Sequence, residues 1–379
     1  LVKILVDKNS LILILNSQKP LMFYKVIGIM SGTSLDGLDV VLCNFHMDQG
    51  QVSYELLAAE TFDFPKDLNK ALNNARQLSG FELCTLDLDL GTYIGSCVLD
   101  FVNKHKIQAR EIDCIASHGH TIFHQPEKRI TCQIGNGQEI ARITEIQTIN
   151  NFREKDVLFG GQGAPLVPVG DRDLFRLKYQ AEAFLNLGGF ANITHIENGC
   201  ITAFDIGPCN LVLNRYARLL GYSFDRGGEL GRIAKLKHPY LVDALNALPY
   251  FNQVPPKSLG AEWLDEAFYK LLDIDELSAQ DKLGVCYEVI SEQIARMLTS
   301  RNIKNVLITG GGAKNNYLIE LIQDKCETEI LIPEETIIDF KEAIVFAYLG
   351  VLFLEGQANC LKEVTAASES VRGGVSYMP

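Results

Sequence analysis

The stretch Val26-Ile27-Gly28-Ile29-Met30-Ser31-Gly32-Thr33-Ser34-Leu35-Asp36-Gly37-Leu38-Asp39-Val40-Val41-Leu42-Cys43-Asn44-Phe45 decides how this chain folds. Val26, Ile27 and Ile29 lead into a turn holding Ser31, Gly32, Thr33, Ser34, Asp36, Gly37 and Asp39; Leu38, Val40, Val41 and Leu42 lead out of it. Apolar runs on either side of such a cluster predict a strand, a tight turn and a returning strand. Glycine lets backbone N–H groups come close to an anion, and the hydroxyls add donors. The carboxylates of Asp36 and Asp39 suit a hydrated Mg²⁺ bridging phosphates rather than phosphate itself. An ordinary Gly/Asp hairpin is the competing reading of this turn alone. It loses ground because related turns recur twice downstream.

Outward from that hairpin, residues 52–61 read as a third strand, and 66–78 and 83–105 as helices. The second helix has Leu86, Leu90, Ile94, Val98 and Phe101 at apolar helical positions. A short strand at 113–117 ends in His118-Gly119-His120-Thr121, and another at 131–134 runs into Gly135-Asn136-Gly137 before a helix from Gln138. Alternating strands and helices place the chain in the α/β class. The loop 160–168, with its glycines and prolines, excludes regular structure, and the domain boundary is set soon after it. Residues 183–187, the turn Gly188-Gly189-Phe190-Ala191-Asn192 and residues 193–196 repeat the strand, glycine turn, strand arrangement. A strand at 201–204 ends in Asp205-Ile206-Gly207-Pro208, and a helix follows over 209–220. Helix 284–300 feeds a strand at 305–309, then Gly310-Gly311-Gly312 and a helix from about Asn315. Glycines between a strand and a helix are the usual setting for close backbone approach to a nucleotide. Such duplication predicts two similar lobes with a ligand cleft between them.

With 379 residues the chain exceeds one ordinary core. The lobes are assigned to 22–175 and 176–379. Residues 1–21 read as an upstream extension with Met22 as the natural start, since the apolar run 11–15 is too short for a signal-peptide core. A net charge of -12 without a basic cluster argues against nucleic acid or an anionic membrane as main partner. The ten cysteines stand singly, the pattern of reduced thiols in a cytosolic protein rather than of a disulfide framework or zinc site. Residues 343–354 fall short of the about 20 that cross a membrane. They read as a helix buried on all sides.

The segments 28–37, Ser117-His118-Gly119-His120-Thr121, Gln133-Ile134-Gly135, 160–168, 186–192, 204–208, Pro256-Lys257-Ser258, 309–312 and Lys341-Glu342-Ala343 run in order through the chain from about residue 24. In them the chain resembles the anhydro-N-acetylmuramic acid kinases, members of the acetate-kinase/sugar-kinase/Hsp70/actin superfamily. The resemblance implies a two-lobed actin-like ATPase (ribonuclease H-like) fold with an interlobe cleft, ATP and Mg²⁺ as cofactors, and a cytoplasmic enzyme in a family that is often dimeric. It implies phosphorylation of 1,6-anhydro-N-acetylmuramic acid by ATP in murein (peptidoglycan) recycling. The anhydro ring opens as water adds at C1, and the product is N-acetylmuramic acid 6-phosphate. The alternatives are another amino-sugar kinase, an exopolyphosphatase-like phosphotransferase of the same fold, or a non-catalytic sugar sensor.

Attack of water at an anomeric carbon needs a carboxylate base. Asp205 is the candidate: it ends a strand, Gly207 and Pro208 keep the chain off it, and the family's catalytic aspartate occupies this position. Capping of the helix near Cys209 is its bland alternative. The resemblance places Gly32, Thr33, Ser34, Leu35, Asp36, Gly37, Leu38 and Asp39 around the ATP phosphates, Gly188 and Gly189 at a second phosphate turn, and Gly310, Gly311 and Gly312 against the adenosine. It also places Glu342 close to the sugar, against the alternative of a carboxylate in the first turn of the buried helix. His118, His120 and His124 lack the companion ligands of a zinc site, so no metal is assigned to them. His118 or His120 is expected to hydrogen-bond the sugar, and Arg153 to hold the lactyl carboxylate unless it forms a surface salt bridge. Two departures from relatives stand out: Asn150-Asn151 where Gly-Asp is common, and Cys209 where glycine is common. The bulk of Cys209 is expected to narrow the sugar pocket.

Overall fold

The computed structural model describes residues 5–7, 10–12, 21–32, 35–48, 50–234, 238–255, 257–273 and 277–379. Most of the proposed N-terminal extension, together with Thr33, Ser34 and Pro256, lies outside the described residues. The short strands Leu5–Asp7 and Ser10–Ile12 pair with each other and with neither large sheet.

Strands β1 (Met22–Ser31), β2 (Leu38–Asp48) and β3 (Gln51–Phe62) form an antiparallel meander. β4 (Cys114–Ser117) lies parallel to β1 on its other side. β5 (His120–Gln125) and β6 (Ile130–Ile134) make a separate hairpin, and β7 (Thr148–Asn150) lies parallel to β4. The first sheet therefore runs β7-β4-β1-β2-β3. The second half repeats this plan. β8 (Ala183–Leu187), β9 (Phe190–Glu197) and β10 (Cys200–Pro208) form the meander, and β11 (Asn305–Thr309) and β12 (Glu329–Leu331) add in parallel beside β8. The order β10-β9-β8-β11-β12 matches the first sheet strand for strand. This is the two-lobed α/β, actin-like fold expected from the sequence. A last strand, β13 (Val375–Tyr377), returns to the first sheet beside β7, so the second lobe does not hold the whole of 176–379.

Both faces of the first sheet are covered, which explains its near-continuous apolar strands. Successive side chains of a strand point to opposite faces. Ile27 and Ile29 enter the core formed with Leu90, Ile94 and Val98 of α1 (Gly80–Lys104), whose start is fixed by a capping box between Ser79 and Glu82. The second half contributes α2 (Asn210–Leu219), α3 (Ala279–Ser300), α4 (Asn316–Gln323) and α5 (Glu335–Leu354).

Every residue of α5 from Ala343 to Leu352 is buried. The reason is its position between the sheets. Its core includes Val26, Val41, Cys114 and Ile149 from the first sheet and Phe184, Ile196 and Leu307 from the second. Gly28 permits the contact on β1: a Cβ there would lie 2.0 Å from the Ala343 carbonyl oxygen and 2.8 Å from the Ala347 Cβ. The helical run 168–179 crosses the same helix, with Gly170 against Val345. One residue later, the buried Asp171 pairs with buried Lys341 at 2.6 Å, between Phe175 and Phe184. α5 starts at Glu335, seven residues before Glu342. The expectation that Glu342 opens this helix is therefore corrected. It lies about two turns inside, too far along for a first-turn interaction with the dipole. Among the described residues, no helix is long and apolar enough to cross a membrane.

Gly28→Val drives a branched side chain into the α5 backbone, so it should destabilise the fold by about 3 kcal/mol or prevent folding. Urea unfolding of the variant against the parent measures this.

Candidate active site

Strand register defines the cleft. Phe184 of β8, paired with Thr194 of β9, faces α5 and the first lobe. Two residues along, Asn186 must face the same way, and its row runs Asp205, Asn192, Asn186, Thr309 across β10, β9, β8 and β11. Phe204 and Ile206, the neighbours of Asp205, turn to the opposite face and its core. The first lobe mirrors this arrangement. Gly28 and Val41 pack towards α5, and two residues along the row is Met30, Asp39 and Thr61. Each lobe thus sets a polar or mixed row just beyond the residues that grip the shared helix. Asn186, Asn192 and Thr309 are not among the site residues expected from the motifs. Their signal was a polar residue in an apolar strand, and Thr309 Oγ1 is buried without a hydrogen-bond partner among the described residues.

Asp205 does not end its strand, because β10 continues to Pro208. β10 is an edge strand, where proline is tolerated. The segment 257–259 braces the aspartate. Its N–H donates to the Lys257 carbonyl at 3.2 Å, and the Leu259 N–H donates to Oδ2 at 2.9 Å. The Tyr250 hydroxyl donates to the Asp205 carbonyl at 2.7 Å. Oδ1 has no partner among the described residues. Burial pushes the carboxyl above its ordinary range, while the Leu259 N–H and the Lys257 charge oppose that shift. Asp205 does not cap α2. The amides at the start of that helix donate instead to the carbonyls of Gly188 and Gly189: Asn210 to Gly188 at 3.0 Å, Cys209 to Gly189 at 2.9 Å.

The second and third glycine turns meet. A Cβ on Gly310, whose φ is +79°, would lie 2.4 Å from Asn186 Oδ1, and one on Gly312 would lie 2.6 Å from the Leu187 Cβ. Asn210 Nδ2 bridges to the Leu187 carbonyl at 2.9 Å. Gly189 and Gly311 remain exposed at this junction. Asn315 then caps α4 by accepting from the Leu318 N–H at 3.1 Å. In the first turn Leu35 donates to the Gly32 carbonyl at 3.1 Å, and Asp36 is exposed. Leu38 is fully buried, so only its backbone can face a ligand. Cys209 is also fully buried, in the core beneath the second sheet. Its side chain points away from the cleft, and the expected narrowing of the sugar pocket is corrected.

Carboxylates gather where α5 meets the first turn. Asp39 accepts from Thr61 Oγ1 at 2.6 Å; burial pushes its carboxyl up, Thr61 opposes this, and the charges of Asp339 and Asp36 push further. Glu342 is open to solvent on one side and makes no hydrogen bond or ion pair among the described residues. The surrounding protein raises its carboxyl, Arg153 and Lys341 pull it down, and Asp39 pushes it up again. Glu342, Arg153 and Asp39 are therefore electrostatic neighbours. Asp205 is not in that group; its charged neighbour is Lys257. Among the described residues, no cluster of His, Cys, Asp and Glu is arranged to hold a metal ion directly.

The two cleft histidines differ. His120 Nδ1 meets Ser31 Oγ at 2.9 Å, leaving Nε2 without a protein partner among the described residues. His118 has no nitrogen left: Nδ1 meets the Gly119 carbonyl at 2.9 Å, and Nε2 meets Arg153 Nη2 at 2.8 Å. Of the two, only His120 can offer a ring nitrogen to a sugar. His124, by contrast, is exposed on the β5–β6 hairpin.

Two lobes of matching strand order, each with a glycine turn after its first strand, make a fold of the actin-like class. A family model for anhydro-N-acetylmuramic acid kinase matches residues 24–379. The anhydro-N-acetylmuramic acid kinase of Francisella tularensis subsp. novicida is 33% identical over 91% of this chain and 96% of its own length. That of Gloeobacter violaceus is 34% identical over 91% and 96%, and that of Sulfurovum sp. 35% identical over 93% and 98%. The chain belongs to the anhydro-N-acetylmuramic acid kinase family.

A carboxyl raised by folding holds its proton more tightly folded than unfolded. Stability therefore falls as pH rises from the ordinary value of 3.8 through the raised one. Asp205→Asn removes that penalty. The variant should be more stable than the parent at pH 7 and lose the advantage by pH 3, as read from denaturant midpoints.

Proposed function

We propose that this chain phosphorylates 1,6-anhydro-N-acetylmuramic acid with ATP, opening the anhydro bridge and releasing N-acetylmuramic acid 6-phosphate and ADP. The supporting observation is Asp205: one carboxylate oxygen is held by the Leu259 N–H, the other has no partner among the described residues, and its register turns it towards the cleft. Burial makes it a stronger base than an exposed aspartate.

In this reading Asp205 takes a proton from water, and the water oxygen bonds to C1 as the C1–O6 bond breaks. O6 leaves with the electron pair and attacks the γ-phosphorus of ATP, and the bond to ADP breaks. Gly32 and residues 35–39 of the first turn surround the phosphates together with Gly188 and Gly189, while Gly310, Gly311 and Gly312 lie against the adenosine. Mg²⁺ would neutralise charge on the phosphates. Asp36 and Asp39 suit it through water, because a nearby cation would offset the burial, and the smaller push of the Asp339 and Asp36 charges, that raise Asp39. Glu342 serves the sugar side, beside His120 and Arg153. The free cysteines and acidic net charge support a cytoplasmic setting and a small-molecule partner.

Asp205→Asn should lower kcat about 100-fold to 10,000-fold while equilibrium ATP binding stays near that of the parent. Near-parental turnover would remove Asp205 from the chemistry. In water enriched in ¹⁸O, mass spectrometry should find the label at C1 of the sugar phosphate. Label in released phosphate instead would mean that the enzyme hydrolyses ATP.

A further inference from the structure

Arginine carries five N–H donors and no acceptor. The fate of those on Arg153 can be followed individually. Nε and Nη2 both point at His118 Nε2, at 3.2 and 2.8 Å, and Nη1 donates to the Gly163 carbonyl at 2.8 Å. Because the guanidinium only donates, His118 Nε2 must accept. The ring proton is then on Nδ1, where the Gly119 carbonyl takes it. The imidazole is buried and packs at a tilt against Phe346 of α5, ring centroids 4.8 Å apart.

The opposite support is equally complete. Asp156 is fully buried; its Oδ2 accepts from the Gly163 N–H at 2.7 Å, and its Oδ1 from Thr365 Oγ1 at 2.7 Å. A Cβ on Gly161 would stand 2.1 Å from that carboxylate. This gives a physical reason for the glycine-rich loop: it brings one carbonyl to one arginine. Two N–H donors of Arg153, one on each terminal nitrogen, have no partner among the described residues. Glu342 is its electrostatic neighbour but forms no ion pair with it.

We infer that His118 and Asp156 are positioning residues which hold Arg153 from two sides, so that its remaining donors select a ligand bearing a carboxylate. This rests on the proposed substrate, whose lactyl group supplies that carboxylate. It assigns His118 a role through Arg153 rather than direct contact with the sugar. The locked guanidinium is already oriented before the ligand arrives, so little side-chain entropy is lost on binding.

Calorimetric titration with 1,6-anhydro-N-acetylmuramic acid and with its lactyl amide tests this apart from turnover. The parent should bind the acid at least about tenfold more tightly than the amide, one charge-assisted hydrogen-bonded pair's worth. His118→Phe keeps the ring packing but removes the acceptor, and should erase that preference, with the larger loss of affinity falling on the acid. His118→Gln, which restores an acceptor, should recover much of it. Retention of the full preference by His118→Phe, or equal loss on both ligands with no recovery by His118→Gln, would overturn the inference. So would a parent with no preference for the acid. If the parent binds the acid selectively but does not phosphorylate it, the proposed reaction fails and the assignment of His118 and Asp156 stands.

Discussion

One helix carries the architecture. α5 has no polar face to offer solvent between Ala343 and Leu352, so both sheets must cover it. That requirement fixes the lobes against each other along its length. Gly28 and Gly170 let the first sheet and the crossing helical run close on it without side chains of their own. The buried Asp171–Lys341 pair then specifies the crossing. Such a pair adds little net stability when intact, but loss of one partner strands a buried charge. Tight packing and a paired charge at the same crossing give the shared helix a defined register.

The cleft follows from that register. Residues one strand step beyond the gripped rows are no longer covered by α5, and these include Asp205 in one lobe and Asp39 in the other. Glu342 emerges from the helix at the same level, directly after Lys341. The glycine turns then continue each sheet towards the opening, where backbone amides can approach phosphates. Desolvation raises Asp205, Asp39 and Glu342 alike. Carboxyls raised in this way cost the fold stability at neutral pH, as functional sites commonly do.

Much of this was legible in the residues, because local chemistry and fold agree there. The duplicated strand, glycine turn, strand units became matching meanders, and the apolar run after Glu342 became a helix buried on all sides. Boundaries failed where a tertiary neighbour overrode a local signal. From the residues alone β10 ends at Phe204, yet an edge strand tolerates Pro208 and continues past Asp205. α5 begins earlier than its apolar run because its first turns, with Glu335 and Asp339, face solvent and Lys314. Cys209 looked like a pocket residue from its neighbours in sequence, but the backbone turns it into the core. His118 offers the clearest limit. Its ring nitrogens are consumed by the next residue's carbonyl and by an arginine 35 positions away, a pairing that no local pattern encodes.

Native-state hydrogen exchange of the α5 amides tests the shared-helix claim most directly. If both sheets must separate before this helix is exposed, amides from Ala343 to Leu352 should exchange only through global unfolding, with the free energy and denaturant dependence measured for the whole chain. Exchange of these amides through a smaller opening, while one sheet stays protected, would show that the lobes come apart without unfolding and would contradict the account.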